Sequence, residues 1–267
     1  MEDALDDVRF LASSENRIRV LKALAGDAVT RRQLQDESGV PRSSVARVLD
    51  ETEARDWVAS SGSRYWITER GEGMLSTIER TVESTQGIRH LGSALEWLPD
   101  PVTSLDYRHL RTARVTTPTE ANPTASLDRG LELIRSADVY RGLTRNSLPS
   151  YMETVAGLVE RGALDFEAVL QSDFVDVLRE DRERARFWRP VADRTWLYEG
   201  RVPVNMHIVD ERVAIWLCDE DRDDGGVEMK GLLETDAARV VSWAESYYEE
   251  HRRDAAPMRT EALTASG

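Results

Sequence analysis

The sequence predicts a chain of mixed class in three stretches: an α+β N-terminal domain, a connecting helix, and a C-terminal α/β layered domain. Three observations carry this. Residues 1–72 hold short helical patterns that end in a hairpin pattern, and residues 73–104 hold a long apolar stripe at helical spacing with a proline-rich stop. Residues 105–253 alternate strand and helix patterns, the signature of a layered sheet. The length of 267 residues allows one large domain or two ordinary ones. A hydrophobic content of 40% fills real cores and excludes intrinsic disorder.

The first stretch opens with a short helix ending over Asp7–Ala12, with Val8 and Leu11 inward. Ser14 is the candidate cap of the next helix, in which Ile18, Leu21 and Leu24 fall at helical spacing and which Gly26 ends. Thr30 caps a helix from Arg31 to Ser38, Gly39-Val40 makes a tight turn, and Pro41 opens a helix from Arg42 to Asp56. Proline suits a helix entrance, because its missing N–H had no partner there. Val45, Val48 and Leu49 form the buried stripe of that helix. Two short apolar runs then flank Ser60-Ser-Gly-Ser63, a hairpin pattern.

Three helices followed by a hairpin make a winged helix-turn-helix, in which the third helix enters the major groove of double-stranded DNA. That helix presents Arg42, Ser43, Ser44 and Arg47 on its first turns, opposite the apolar stripe. Arginine bonds guanine bidentately, and serine binds phosphate or base edges. Asp50, Glu51, Glu53 and Asp56 follow, so only the N-terminal half is fit to face phosphates. Arg31 and Arg32 at the start of the second helix, and Arg64 at the wing tip, are placed for the DNA backbone. Solvated surface arginines are the plain alternative for each of them. Tyr65 and Trp66 read as wing and core packing.

The formal net charge is −14, which seems to argue against nucleic acid. Charge has to be read by segment. Residues 14–70 carry ten basic and nine acidic side chains, so most of the acid lies elsewhere. DNA binding that leans little on bulk electrostatics should survive high salt.

The middle stretch reads as one helix over 71–98, stopped at Leu98-Pro-Asp-Pro101. Met74, Leu75, Ile78, Val82, Ile88, Leu91, Leu95 and Leu98 suit a homodimer seam or burial within the chain. Gly87 and Gly92 weaken a long straight coiled coil.

In the third stretch, strands read at 112–116, 138–143, 165–170, 195–198, 204–209 and 213–218, with helices at 124–136, 149–162 and 174–188 between them. Asp210-Glu-Arg212 joins the last two strands as a hairpin, and 227–232 adds an edge strand. Thr235 caps a final helix to His251, and residues 254–267 form a frayed, flexible tail. Ligands in such sheets bind at the carboxyl ends of strands. Thr144, Asn146 and Ser147 follow one strand and Gln171 the next. With Arg141 they make a candidate site for a small-molecule effector, although Ser147 equally suits a helix cap.

Several chemistries are disfavoured. Cys218, the single cysteine, has no partner for a disulfide within the chain and heads no zinc cluster. It sits on a strand next to that of His207, a pair read as a packed histidine and a buried thiol rather than a metal site. No catalytic constellation is found: no His is followed two residues on by Lys, and no Gly-x-Ser-x-Gly, phosphate loop or His-Glu-x-x-His occurs. No cofactor, no metal and no enzyme activity are expected. No apolar run is long enough for a membrane, and the acidic start lacks a signal peptide, so the expected setting is the reducing cytoplasm.

The segment TRRQLQDESGVPRSSVARVLDETEARDWV (30–58), followed by the hairpin and Thr68-Glu-Arg-Gly71, resembles the winged-helix regulators of archaea and bacteria. The stretch Ile208–Asp236, with its V-D-E-R-V-A-I-W-L-C-D run and Gly231-Leu-Leu-Glu-Thr-Asp236, resembles the effector domain of archaeal methanogenesis and filamentation regulators, a domain similar in shape to phospholipase-D-like sensors. Of the 35 basic residues only Lys22 and Lys230 are lysine, and acidic, lysine-poor chains are similar to proteins of halophilic archaea. These resemblances imply a DNA-binding transcription regulator whose C-terminal domain senses a small molecule or mediates assembly. A winged-helix interaction scaffold that leaves DNA untouched is the other reading.

Overall fold

The computed structural model describes residues 1–219 and 228–263. The chain divides into two compact units, Met1–Thr85 and Gln86–Gly267.

The first unit runs α1 (Glu2–Ala12), α2 (Glu15–Ala23), β1 (Val29–Thr30), α3 (Arg31–Ser38), α4 (Arg42–Glu53), β2 (Val58–Ser61), β3 (Arg64–Ile67) and the start of α5 (Glu69–Leu91). Its core gathers Leu11, Val20, Leu21, Leu24, Leu34, Val45, Val48, Leu49 and Trp57, all at most 1% exposed. Fully burying each such side chain stabilises by about 1.5–3 kcal/mol. Thr30 makes a full capping box with Gln33, which fixes where α3 begins. Gly39 ends α3 in the left-handed region at φ 64°. A two-residue strand absent from the sequence reading, β1, pairs with β3 and turns the hairpin into a three-stranded sheet of order β1-β3-β2.

Some local expectations change. Ser14 stands at the N-cap of α2 but its side chain makes no cap bond. Val8 is 40% exposed, because α1 meets the core through Leu11. Phe10 is held between two guanidinium groups, those of Arg17 at 3.8 Å and Arg55 at 3.9 Å from the ring centroid.

The Thr68-x-x-Gly71 motif has a physical reason. The Thr68 hydroxyl donates to Asp56 O at 2.7 Å and accepts from the Gly71 N–H at 3.2 Å, so it caps α5. A Cβ on Gly71 would stand 2.1 Å from Trp57 O. Gly71→Ala should therefore lower stability by about 1–3 kcal/mol, the usual cost of overpacking against a backbone that must shift. An unchanged melting temperature for that variant would contradict the contact.

The second unit contains the end of α5 and a 3-10 turn at Gly92–Trp97, followed by α6 (Asp100–Thr103), β4 (Arg114–Thr116), α7 (Ala125–Arg135), β5 (Val139–Thr144), α8 (Pro149–Glu160) and β6 (Asp165–Gln171). It continues through α9 (Phe174–Glu180), α10 (Arg182–Trp188), β7 (Thr195–Tyr198), β8 (Met206–Val209), β9 (Arg212–Asp219), β10 (Glu228–Thr235), α11 (Ala238–Arg253) and β11 (Ala256–Pro257). The strands form one eight-stranded sheet of order β11-β7-β6-β5-β8-β9-β10-β4. Strands β5, β6 and β7 are parallel neighbours, and the other pairs are antiparallel.

Alternation along each strand sends side chains to two cores. On one face Tyr140, Phe166, Trp216 and Leu232 pack with residues of α7, α8, α9 and α10. On the other, Leu143, Val169, Ile215 and Leu233 pack with Leu91, Leu98 and Val102 and with Val240, Ala244 and Tyr248 of α11. A carboxylate clamp ties the first face to β10. Glu234 accepts from Arg129 of α7 at 2.9–3.2 Å, with Arg114 and Arg212 at 3.6 and 3.7 Å.

Five expectations change in this unit. The expected helix over 71–98 is α-helical only to Leu91, because Gly92 adopts φ 53° and the chain tightens into a 3-10 turn. The expected helix over 174–188 breaks at Asp181, whose carboxylate caps α10 by accepting from the N–H groups of Glu183 and Arg184. The expected edge strand, whose residue 227 lies outside the described residues, is an interior strand with β4 as its outer neighbour. Thr235 does not cap α11 directly but accepts from the Ala237 N–H at 3.2 Å. The expected frayed tail is packed as far as it is described: Ala256 and Pro257 pair with β7, and Met258 and Leu263 are 3% exposed. Residues 264–267 lie outside the described residues.

Candidate nucleic-acid interface and ligand cavity

In the first unit the solvent face of α4 is set by its buried stripe. Val45, Val48 and Leu49 turn inward, which leaves Arg42, Ser43 and Arg47 exposed and Ser44 half-buried. The N-terminal N–H groups of α4 add a partial positive charge beside Arg42. Arg31 reaches towards both α4 and the hairpin, 4.0 Å from Asp50 and with its guanidinium 5.2 Å from the Tyr65 ring centroid. Arg32 and Arg42 have no partner among the described residues. Arg64 begins β3 beside the turn at Gly62 (φ 63°), and its Nη1 donates to Ala28 O at 2.8 Å.

Two of the three carboxylates of α4, Asp50 and Glu51, lie beside arginines. Glu51 accepts from Arg17 at 3.1 Å and Arg47 at 3.4 Å, and Asp56 lies 3.8 Å from Arg70. Exposed pairs of this kind are worth about 0–1 kcal/mol, so those of Arg31 and Arg47 are weakly held. Arg17 differs: its side chain is 12% exposed and also donates to Phe10 O, which marks it as structural. Arg19 of α2 is exposed and extends its side chain to the turn between α3 and α4. Its Nη2 is 2.8 Å from the point where a Cβ on Gly39 would stand.

In the second unit the effector candidates divide. Thr144, Asn146 and Ser147 line one cavity of about 210 Å³, together with Leu148, Tyr151, Asn205, His207, Trp216, Cys218 and Met229. The cavity opens at the carboxyl ends of β5 and β9. Arg141 is not part of it: three residues before Thr144 on β5, it points to the opposite face of the sheet, the side of Leu143 and α11. Gln171 is also elsewhere. Its amide donates to Asp173 at 2.8–2.9 Å and accepts from the Val202 N–H at 2.9 Å, bonds that shape the loop after β6.

The cavity combines an aromatic wall with a polar rim. Tyr151 donates its hydroxyl to Leu127 O at 2.8 Å and packs edge-on against Trp216 at 5.6 Å. Gly130 of α7 makes room for both rings, since a Cβ there would fall 2.0 Å from the Tyr151 hydroxyl and 3.0 Å from Trp216. The Asn205 side-chain oxygen accepts from the Arg145 N–H at 2.8 Å, and its NH₂ group has no hydrogen-bond partner among the described residues. The Thr144 hydroxyl donates to Asn146 O.

His207 of β8 is 7% exposed and lies 5.0–6.1 Å from the rings of Tyr140, Tyr151 and Trp216. Neither ring nitrogen has a hydrogen-bond partner among the described residues. Burial pulls its pKa down from the ordinary value of 6.5 to about 4, so the imidazole is neutral at pH 7. Unfolding restores the ordinary value, so the unfolded chain binds the extra proton between those two pH values. The contribution is therefore complete above pH 6.5 and is lost as pH falls through 4, about 3 kcal/mol in all. Replacing His207 by Leu should flatten that part of the stability curve in denaturant titrations across this range; an unaltered curve would refute the assignment.

Cys218 lines the same cavity as His207, but among the described residues no three His, Cys, Asp or Glu side chains gather as a metal site. No helix among the described residues is long and apolar enough to cross a membrane.

Two family models match the chain. Residues 5–89 match the HVO_A0261 N-terminal domain, and residues 123–254 match the middle domain of the methanogenesis regulatory protein FilR1. The resemblance read from the sequence thus holds in both units. No curated protein matches. Among solved structures, the chain is similar to TrmBL2, an archaeal chromatin protein, with 17% identity over 94% of this chain and 98% of that one and a TM-score of 0.41. It is also similar to the phospholipase D family member Nuc of Salmonella typhimurium (14% identity, 55% and 98% of the two chains, TM-score 0.42). A third likeness is NucT of Helicobacter pylori (12% identity, 55% and 99%, TM-score 0.42).

Proposed function

We propose, from one chain that pairs an HVO_A0261-type N-terminal domain with a FilR1-type middle domain, that this protein is a DNA-binding transcription regulator. The observation that carries the reading is the split character of α4. Its first turns offer exposed Arg42, Ser43 and Arg47, while its acidic end is occupied by Arg17, Arg31 and Arg47. In this reading β2 and β3 are the wing of a winged helix-turn-helix, α4 enters the major groove, and Arg31, Arg32 and Arg64 hold the backbone on either side. Ser44 completes the first turn.

A homodimer would place two such helices on paired half-sites. Val82 of α5, 42% exposed, offers apolar surface for it. The second unit is the effector domain, and the protein works in the cytoplasm without catalysis. A ligand there changes DNA affinity only by binding one arrangement of the protein better than another.

The test is fluorescence anisotropy with fragments of the organism's promoter DNA, from low salt to molar KCl. The expected result is saturable, sequence-dependent binding that persists at high salt. Absence of binding at every salt concentration favours the other reading, a winged-helix interaction scaffold. The pairs Arg31–Asp50 and Arg47–Glu51, which partly neutralise the face, are the observation on that side.

A further inference from the structure

The cavity beside His207 has a composition that selects a ligand. Among the described residues, the ten that line it include no carboxylate, lysine or arginine, and the one titratable base there is a neutral imidazole. A charged ligand would lose its hydration there without gaining a counter-ion. The wall is built from the rings of Tyr151, His207 and Trp216 with Leu148 and Met229, and flat rings pack best against rings that meet at an angle. The volume of about 210 Å³ accommodates a single substituted ring.

The uncommitted polar groups narrow the class further. The His207 ring offers one nitrogen as donor and the other as acceptor, both without a hydrogen-bond partner among the described residues. The Asn205 NH₂ group donates, and the Ser147 hydroxyl at the rim, which donates to Leu148 O at 3.4 Å, keeps lone pairs to accept. A ligand that hydrogen-bonds to this imidazole replaces water that would otherwise reach it from the cavity, so it has to match those hydrogen bonds.

We infer that this cavity binds a small uncharged aromatic compound whose substituent both donates and accepts hydrogen bonds, such as a primary amide or a phenol. The inference rests on reading the second unit as an effector domain. It is independent of whether α4 contacts DNA.

Three size-matched probes test it on the full-length protein by ligand-observed NMR titration: benzamide, benzoate and cyclohexanecarboxamide. Benzamide should bind saturably. Benzoate should bind at least about tenfold more weakly for its charge, and cyclohexanecarboxamide at least about tenfold more weakly for its lost ring contacts. His207→Leu should weaken benzamide by about tenfold or more. Leu148 is 41% exposed at the mouth, so Leu148→Arg is tolerated by the fold and should raise benzoate relative to benzamide. Equal binding of benzamide and benzoate to the natural protein, unchanged benzamide affinity in His207→Leu, or no benzamide binding at all overturns the inference. DNA binding is measured without ligand in a separate arm. Its loss with benzamide binding retained overturns only the reading of the first unit.

Discussion

Replacing Arg42 and Arg47 together by glutamate should lower DNA affinity by about 100-fold or more while leaving the melting temperature unchanged. A well-placed arginine on a base edge is worth about 1–3 kcal/mol, so two lost contacts amount to roughly two to four decades of affinity. The added carboxylates also face phosphates. The fold should tolerate the change because neither side chain holds the core together. Arg42 is exposed with no partner among the described residues. Arg47 has only its exposed pair with Glu51, a helix contact worth about 0.3–0.5 kcal/mol. Arg17→Ala is the informative contrast. That side chain binds Glu51, Phe10 O and the Phe10 ring from a 12% exposed position, so its loss should depress stability first. The reading of α4 fails if the double variant binds promoter fragments as the natural protein does, or if Arg17→Ala abolishes binding without lowering the melting temperature.

The legible parts of the chain were those where one local interaction sets the outcome. Thr30 with Gln33, Gly39 at positive φ, and the Thr68-x-x-Gly71 cap each fix an element end within a few residues. Elements set by distant partners were not legible. Strand β1 is two residues long with no apolar run, and it exists because Tyr65 and Arg64 of β3 pair with it. Strand β10 becomes interior because β4, more than a hundred residues earlier, closes over it. The stripe through α9 and α10 is continuous in pattern, and only the extended conformation of Asp181 separates them.

The sites followed the same rule. Thr144, Asn146 and Ser147 could be placed together because they are contiguous at one strand end. Arg141 was misjudged because one odd step along β5 carries a side chain through the sheet. The aromatic wall was invisible, since Tyr151 and Trp216 match the pattern of core residues. Only the fold sets Gly130 against them.

The largest effect on stability is expected at Glu234. Its side chain is 4% exposed and faces three guanidinium groups, with Arg129 bonded through both Nε and Nη2. Glu234→Ala leaves those charges without their shared counter-ion, and breaking a buried pair from one side costs about 3–5 kcal/mol. The lower end applies here, because Arg129 keeps Glu132 at 3.0 Å and Arg212 keeps Asp236 at 3.8 Å. A double variant, Glu234→Leu with Arg129→Met, removes the main pair from both sides and should recover much of the loss, since an apolar pair of similar volume often replaces a buried ion pair without penalty. Denaturant unfolding of the three proteins decides the matter. A Glu234→Ala variant as stable as the natural protein would mean that solvent already screens the cluster. The clamp also bears on the cavity. Arg129 is followed on α7 by Gly130, the residue against which Tyr151 and Trp216 pack. Loosening α7 from β10 therefore moves the aromatic wall, so benzamide affinity should fall in Glu234→Ala and return in the double variant.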